Sequence, residues 1–249
     1  MKKLALHWQI IIGMILGVFF GILAYHFSLN NFTNDWIKPF GVIFVNLLKL
    51  IAVPLVFASL IKGVASLSDI SRLSKIGSRS IMLYLFSTVL SVSIGLGLVN
   101  LVGPGNSFSN DKKTELREKY SSKADLKIND ALLVESSGPL QFLVDVVPTN
   151  IFESASKNKN MLQIIFFAIL FGISIIMLPK EKTVYVRGFF DGINDIILHI
   201  VDLIMRMAPY GVFALLASLV VDFGASVDLF IALGYYSLTV IFGLLFMIF

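Results

Sequence analysis

The sequence predicts an all-α membrane protein, a multispanning bundle of helices that cross a bilayer. Two observations carry this. Hydrophobic residues fill 57% of the 249 positions and charged residues only 14%. The apolar residues also come in runs of about 20, the length a helix needs to cross the hydrocarbon layer. Stretches such as Leu83 to Val102 and Met161 to Leu178 have too little polar surface to cover a water-facing side, which excludes a soluble enzyme with a conventional core. The absence of cysteine removes disulfides, thiolate metal sites and thiol nucleophiles. The net charge of +4 is not a nucleic-acid signature in such a chain, because basic residues in membrane proteins mark topology.

Six hydrophobic segments follow in order, at 7–28, 37–66, 78–103, 139–178, 189–221 and 229–249. The first, after Lys2 and Lys3, is too long for the apolar part of a secretory signal and lacks a small-x-small cleavage site, so it is expected to be a permanent span. Its Gly13, Gly17 and Gly21 recur every four residues, which places them on one helical face and lets another backbone approach closely. The second carries Lys49 near its middle and Pro54 five residues later. A lysine at bilayer depth is costly unless it snorkels to the interface or meets water or a partner. Proline removes a backbone hydrogen bond that neighbours or water must replace.

In the third segment the run MLYLFSTVLSVSIG places Tyr84, Ser87 and Thr88 at i, i+3 and i+4. Their oxygens can serve a small hard cation, or bond back to their own helix as membrane Ser and Thr commonly do. The polar stretch 104–138 has basic and acidic side chains that cancel, and is expected to be a solvated, partly mobile loop. The fourth segment is interrupted by PTNIFESASKNKN and should form several shorter helices. The fifth bears a polar stripe of Asp191, Asp195, His199, Asp202 and Arg206. It reads either as an intramembrane relay or as an interfacial first half in which Asp202 and Arg206 pair, with a kink at Pro209. The sixth ends at Phe249 while still apolar, where a polar flank is expected, so the chain reads as cut off within it.

Lys2, Lys3, Lys62, Arg72, Lys75, Arg79, Lys180, Lys182 and Arg187 fall on one side if the broken fourth segment crosses once. The opposite short loops offer only Lys38, which places the N-terminus in the cytoplasm. His7, His26 and His199 fit no metal-ligand spacing, and no HExxH, GxSxG or Walker-type loop is present, so no enzyme chemistry is expected.

Three blocks in order, IKPFGVIFVNLLKLIAVPLVFASLIKGVASL, VVPTNIFESASKNKNMLQIIFFAILFGISI and MRMAPYGVFALLA, resemble the second, fourth and fifth spans of the glutamate/dicarboxylate:cation symporter family. The resemblance implies an elevator-type secondary transporter fold and a homotrimer in the cell membrane. The first, second, fourth and fifth spans would form a static scaffold, and the third and sixth would belong to a moving transport domain. It divides this chain into 1–77 (scaffold spans 1 and 2), 78–103 (span 3), 104–138 (external loop), 139–228 (span 4 and span 5, scaffold) and 229–249 (incomplete span 6).

By the same resemblance Tyr84, Ser87 and Thr88 match a Tyr-x-x-Thr-Ser arrangement at a sodium site, with the order of the two hydroxyl residues exchanged. Lys49 and Pro54 would lie on the scaffold helix that faces the moving domain. Sodium ion or proton is the implied coupling ion, with no other cofactor, and the implied cargo is a small-molecule anion, an acidic amino acid or a dicarboxylate. The hairpins and spans that bind substrate in the family follow the sixth span, so no substrate residue is assigned. A non-transporting membrane scaffold and an anion-leak channel are the alternatives.

Overall fold

The structure is a computed structural model that describes residues 4–67, 70–103, 138, 140–224 and 227–248, with five isolated positions between 114 and 128. Nine helices organise these residues: α1 Leu6–His26, α2 Lys38–Ala65, α3 Ile70–Val102, α4 Gln141–Val146, α5 Ile151–Ala155, α6 Met161–Met177, α7 Lys180–Met205, α8 Ala208–Asp222 and α9 Val227–Ile248. A short helical turn Asn30–Phe32 and a π-helical turn Thr33–Ile37 lead into α2, and a 3-10 turn Asn158–Asn160 leads into α6. Among the described residues five helices, or six spans if the bent α7–α8 pair counts as one, are long and apolar enough to cross a membrane.

The helix boundaries have local causes. Pro39 and Pro209 sit in the first turns of α2 and α8, where a missing N–H costs nothing. The Asn150 side chain caps α5 by accepting from the N–H groups of Phe152 (2.9 Å) and Glu153 (3.4 Å). Gly224, at φ +79°, closes α8 in the left-handed region that glycine enters freely. The fourth segment is broken as expected, into α4, α5, the 3-10 turn and α6.

Two segments differ from expectation. The helix of the third begins at Ile70 rather than 78, and that of the fifth at Lys180 rather than 189. Hydropathy marks the apolar run, whereas these polar first turns contain no proline and continue the helix beyond it. The kink expected at Pro209 is present as a 50° bend between α7 and α8, across Arg206 and Met207. Most of the 104–138 stretch lies outside the described residues; Thr114, Glu118, Ser121, Asp125 and Ile128 within it are helical and exposed.

The chain divides into two compact units, residues 1–75 with 142–225, and residues 76–141 with 226–249. In the first unit α2 is central. It runs parallel to α6, with Val64 against Gly172 and the Lys49 carbonyl against Asn158. It runs antiparallel to α7 and then α8, from Ala65 opposite Arg187 to Lys38 opposite Asp222. Ala58, Ile61, Ala65, Ala168, Ile175 and Phe190 make one buried cluster with Ile197, and Phe44, Ile51, Ile204 and Ala208 make another near the bend. The glycine face of α1 packs on α8: a Cβ on Gly13 would stand 2.5 Å from the Pro209 carbonyl oxygen, and one on Gly17 2.5 Å from that of Phe213. The expected packing seam is therefore present, with small residues allowing the backbones to approach. In the second unit α3 and α9 form the described pair, where the Ser91 hydroxyl oxygen lies 3.5 Å from the Met247 sulfur.

Candidate functional site

Helical geometry places the Tyr84, Ser87 and Thr88 side chains on one face of α3. Tyr84 is 68% exposed, Thr88 is exposed and Ser87 is partly buried. The Ser87 hydroxyl donates to the Tyr84 carbonyl at 3.1 Å, and Ser91 donates in turn to the Ser87 carbonyl at 2.6 Å. Back-bonding to the helix thus occurs, yet it uses only the Ser87 proton and leaves the oxygen lone pairs free to accept. Helix α3 carries no Asp or Glu, so any cation held here would receive only neutral oxygens from this helix. Among the described residues no group of three or more His, Cys, Asp or Glu side chains is placed to hold a metal ion.

Lys49 and Pro54 lie together on α2 in the first unit. Pro54 has no N–H to give the Leu50 carbonyl, and one residue away the Lys49 carbonyl accepts a hydrogen bond from the Asn158 side chain at 3.2 Å. The broken fourth segment thus places a polar side chain one residue from the carbonyl that the proline leaves without its helical donor. The Lys49 side chain is exposed and lines a recess with Asn46, Ser156 and Asn158.

The polar stripe of the fifth segment resolves differently from its sequence reading. Asp191 and Asp195 pair with Lys62 of α2, at 3.5 and 3.4 Å. Asn194, inside the packed face, accepts from Ser59 at 2.9 Å and donates to Asp195 at 3.4 Å. The expected Asp202–Arg206 pair is not among the ion pairs of the described residues. An exposed i, i+4 pair contributes only tenths of a kcal/mol, too little to hold two side chains together.

Sequence reading also missed Arg187, which it used only as a topological charge. Its guanidinium donates to the Ala65 carbonyl at the end of α2 and, at 3.3 Å, to the Ile175 carbonyl near the end of α6. One cation thereby caps two helix C-termini.

Residues 6–249 match the sodium:dicarboxylate symporter family. The chain belongs to that family. Among curated proteins, the Proton/sodium-glutamate symport protein of Geobacillus stearothermophilus is 35% identical over 226 residues, covering 90% of this chain and 51% of its own length. The Proton/glutamate-aspartate symporter of Escherichia coli (strain K12) is 34% identical over 231 residues, covering 90% of this chain and 51% of its own. The C4-dicarboxylate transport protein of Anaeromyxobacter sp. (strain K) is 29% identical over 226 residues, covering 90% and 48%. This symporter-family chain therefore spans about half the length of the curated relatives it matches. The match runs through both compact units and includes Lys49, Pro54 and the α3 hydroxyl face.

Proposed function

We propose that this chain provides the scaffold and the first moving helices of a symporter that carries an acidic amino acid or C4 dicarboxylate inward with sodium ions or protons. The family match over residues 6–249 carries the proposal. The names of the relatives supply the substrate class, glutamate and aspartate or C4 dicarboxylates. The division into two units supports the split between scaffold and transport domain, since residues 1–75 with 142–225 hold spans 1, 2, 4 and 5 and residues 76–141 with 226–249 hold spans 3 and 6. The assembly is a homotrimer in the cell membrane with its N-terminus in the cytoplasm, the side on which the basic loop residues gather. Lys49 and Pro54, which line a polar recess of the first unit, are assigned to the scaffold interface by the family resemblance.

Tyr84, Ser87 and Thr88 contribute oxygens to a coupling-ion site. Uptake of labelled glutamate, aspartate and succinate by proteoliposomes that hold the full-length gene product, with and without a sodium gradient, tests the reading. Replacing the trio together, Tyr84→Phe, Ser87→Ala and Thr88→Val, should raise the sodium concentration for half-maximal uptake by at least about tenfold. That is the scale set by about 1.5–3 kcal/mol for an interaction with a charged group. Unchanged sodium dependence in the triple variant overturns the ion site, and absence of any ion-driven uptake overturns the symport reading.

A further inference from the structure

Helix α7 has two exposed faces of opposite character. Its buried face, Thr183, Phe190, Asn194, Ile197 and Ile204, packs on α2 and, more lightly, on α6. Away from that seam, Gly188, Gly192, Asp195, His199, Asp202 and Arg206 recur at alternating intervals of four and three residues, so they share one outward stripe, and all six are exposed. Phe189, Ile196 and Leu203 each follow a stripe residue and are exposed as well, but they point about 100° further round the helix. A polar and an apolar surface are therefore exposed side by side along the same turns. That is the pattern of a helix set between an apolar medium and water.

The stripe runs too deep to be an interfacial margin. Helix α2 has 28 residues, a length of about 42 Å against about 30 Å of hydrocarbon. Ile204 shares a buried cluster with Ile51, which stands about 21 Å before the end of α2 that carries Lys62. Even with the whole excess length of α2 projecting from that end, Ile204 would lie about 9 Å inside the apolar layer, and Arg206 comes after it. Charged groups at such depth are paired, turned into a bundle or bathed in water. Among the described residues no ion pair involves His199, Asp202 or Arg206, and their stripe lies away from the seam with α2.

We propose that this stripe lines a water-filled inlet, open to the cytoplasm at Gly188 and closed at the α7–α8 bend beside Arg206. The apolar barrier next to it is then reduced to α8, 15 residues or about 22 Å long. Hydration of this face involves the first unit alone and requires no transport, so the inlet stands or falls separately from the symport reading.

The test is labelling of single cysteines placed in the full-length protein, in inside-out vesicles, by a charged thiosulfonate that does not cross the bilayer. At Gly188 and Gly192 an added Cβ would meet nothing within 4 Å, so Gly188→Cys and Gly192→Cys probe the stripe without crowding it. These two, with His199→Cys, Asp202→Cys and Arg206→Cys, should react within about tenfold of the rate of Lys180→Cys at the start of α7. Ile196→Cys and Leu203→Cys should be slower by about a hundredfold or more, because apolar surroundings keep a thiol protonated. Hydroxyl-radical footprinting of the unsubstituted protein should oxidise His199 and spare Leu203, a readout that no variant's folding can disturb. Labelling that stops short of Asp202 would reduce the stripe to an interfacial margin and overturn the inlet. Slow labelling of both faces, as expected where a second copy of the chain or another helix covers the stripe, would overturn it too. So would equally fast labelling of both faces, equal protection of His199 and Leu203 from radicals, or labelling from the external side alone.

Discussion

Replacing Gly17 by leucine is expected to separate α1 from α8. Even the first added carbon would lie 2.5 Å from the Phe213 carbonyl oxygen and 3.0 Å from its Cα, both backbone atoms that cannot rotate away. Restoring ordinary contact requires the helices to part by about 1 Å, and the rest of the leucine side chain requires more. Separation would loosen the whole seam, because a Cβ on Gly13 would stand 2.5 Å from Pro209 and one on Gly21 2.7 Å from Val220 and 2.8 Å from Ala217. The expected loss exceeds about 3 kcal/mol, beyond the usual cost of an overpacked core.

The absence of cysteine gives a clean measurement. The rings of Phe20 and Phe213 lie 5.7 Å apart across the seam, so Phe20→Cys with Phe213→Cys should be bridged by a short bifunctional thiol reagent in the otherwise wild-type protein. The yield should collapse when Gly17→Leu is added, together with a fall in melting temperature in detergent. Unchanged yield and melting would show that the seam does not depend on the glycine.

The second large effect is expected at Arg187. Alanine there leaves the carbonyls of Ala65 and Ile175 without their guanidinium donors and removes the 3.3 Å hydrogen bond from Nε to the buried Thr183 hydroxyl. Stranding partly buried acceptors in this way costs about 2–4 kcal/mol in total. Lysine should recover less than half of the loss, since an ammonium is a point charge that cannot span two helix ends as a planar fork does. Thermal unfolding of wild type, Arg187→Ala and Arg187→Lys decides between this and a mere surface charge, for which lysine would restore full stability.

The sequence exposed those features that repeat along one helix or interrupt it. The four-residue glycine register of α1, the polar break before α6 and the bend at Pro209 each have a cause within a few residues, and each is found where expected. The starts of α3 and α7 were displaced because hydropathy reports the lipid boundary, while a helix continues through polar turns such as Lys180 to Arg187. The partners of Asp191 and Asp195 were illegible for a different reason. Lys62 reaches them only because α2 lies antiparallel to α7, a tertiary fact that no local spacing encodes. The hydroxyl face of α3 falls between these cases: one helix supplies its geometry, and whatever completes it comes from elsewhere in sequence.

Helix α2 is fastened near both of its ends. The Lys38–Asp222 pair, at 2.8 Å, ties the first residue to the close of α8, and the Arg187 bond to Ala65 ties the last to α7. A rod clamped at both ends yields where it is weakest, and Pro54 has removed a rung from the ladder between the clamps. Elastic deformation of the first unit is thereby directed to the middle turns of α2, around Lys49 and Pro54, rather than to the clamped ends.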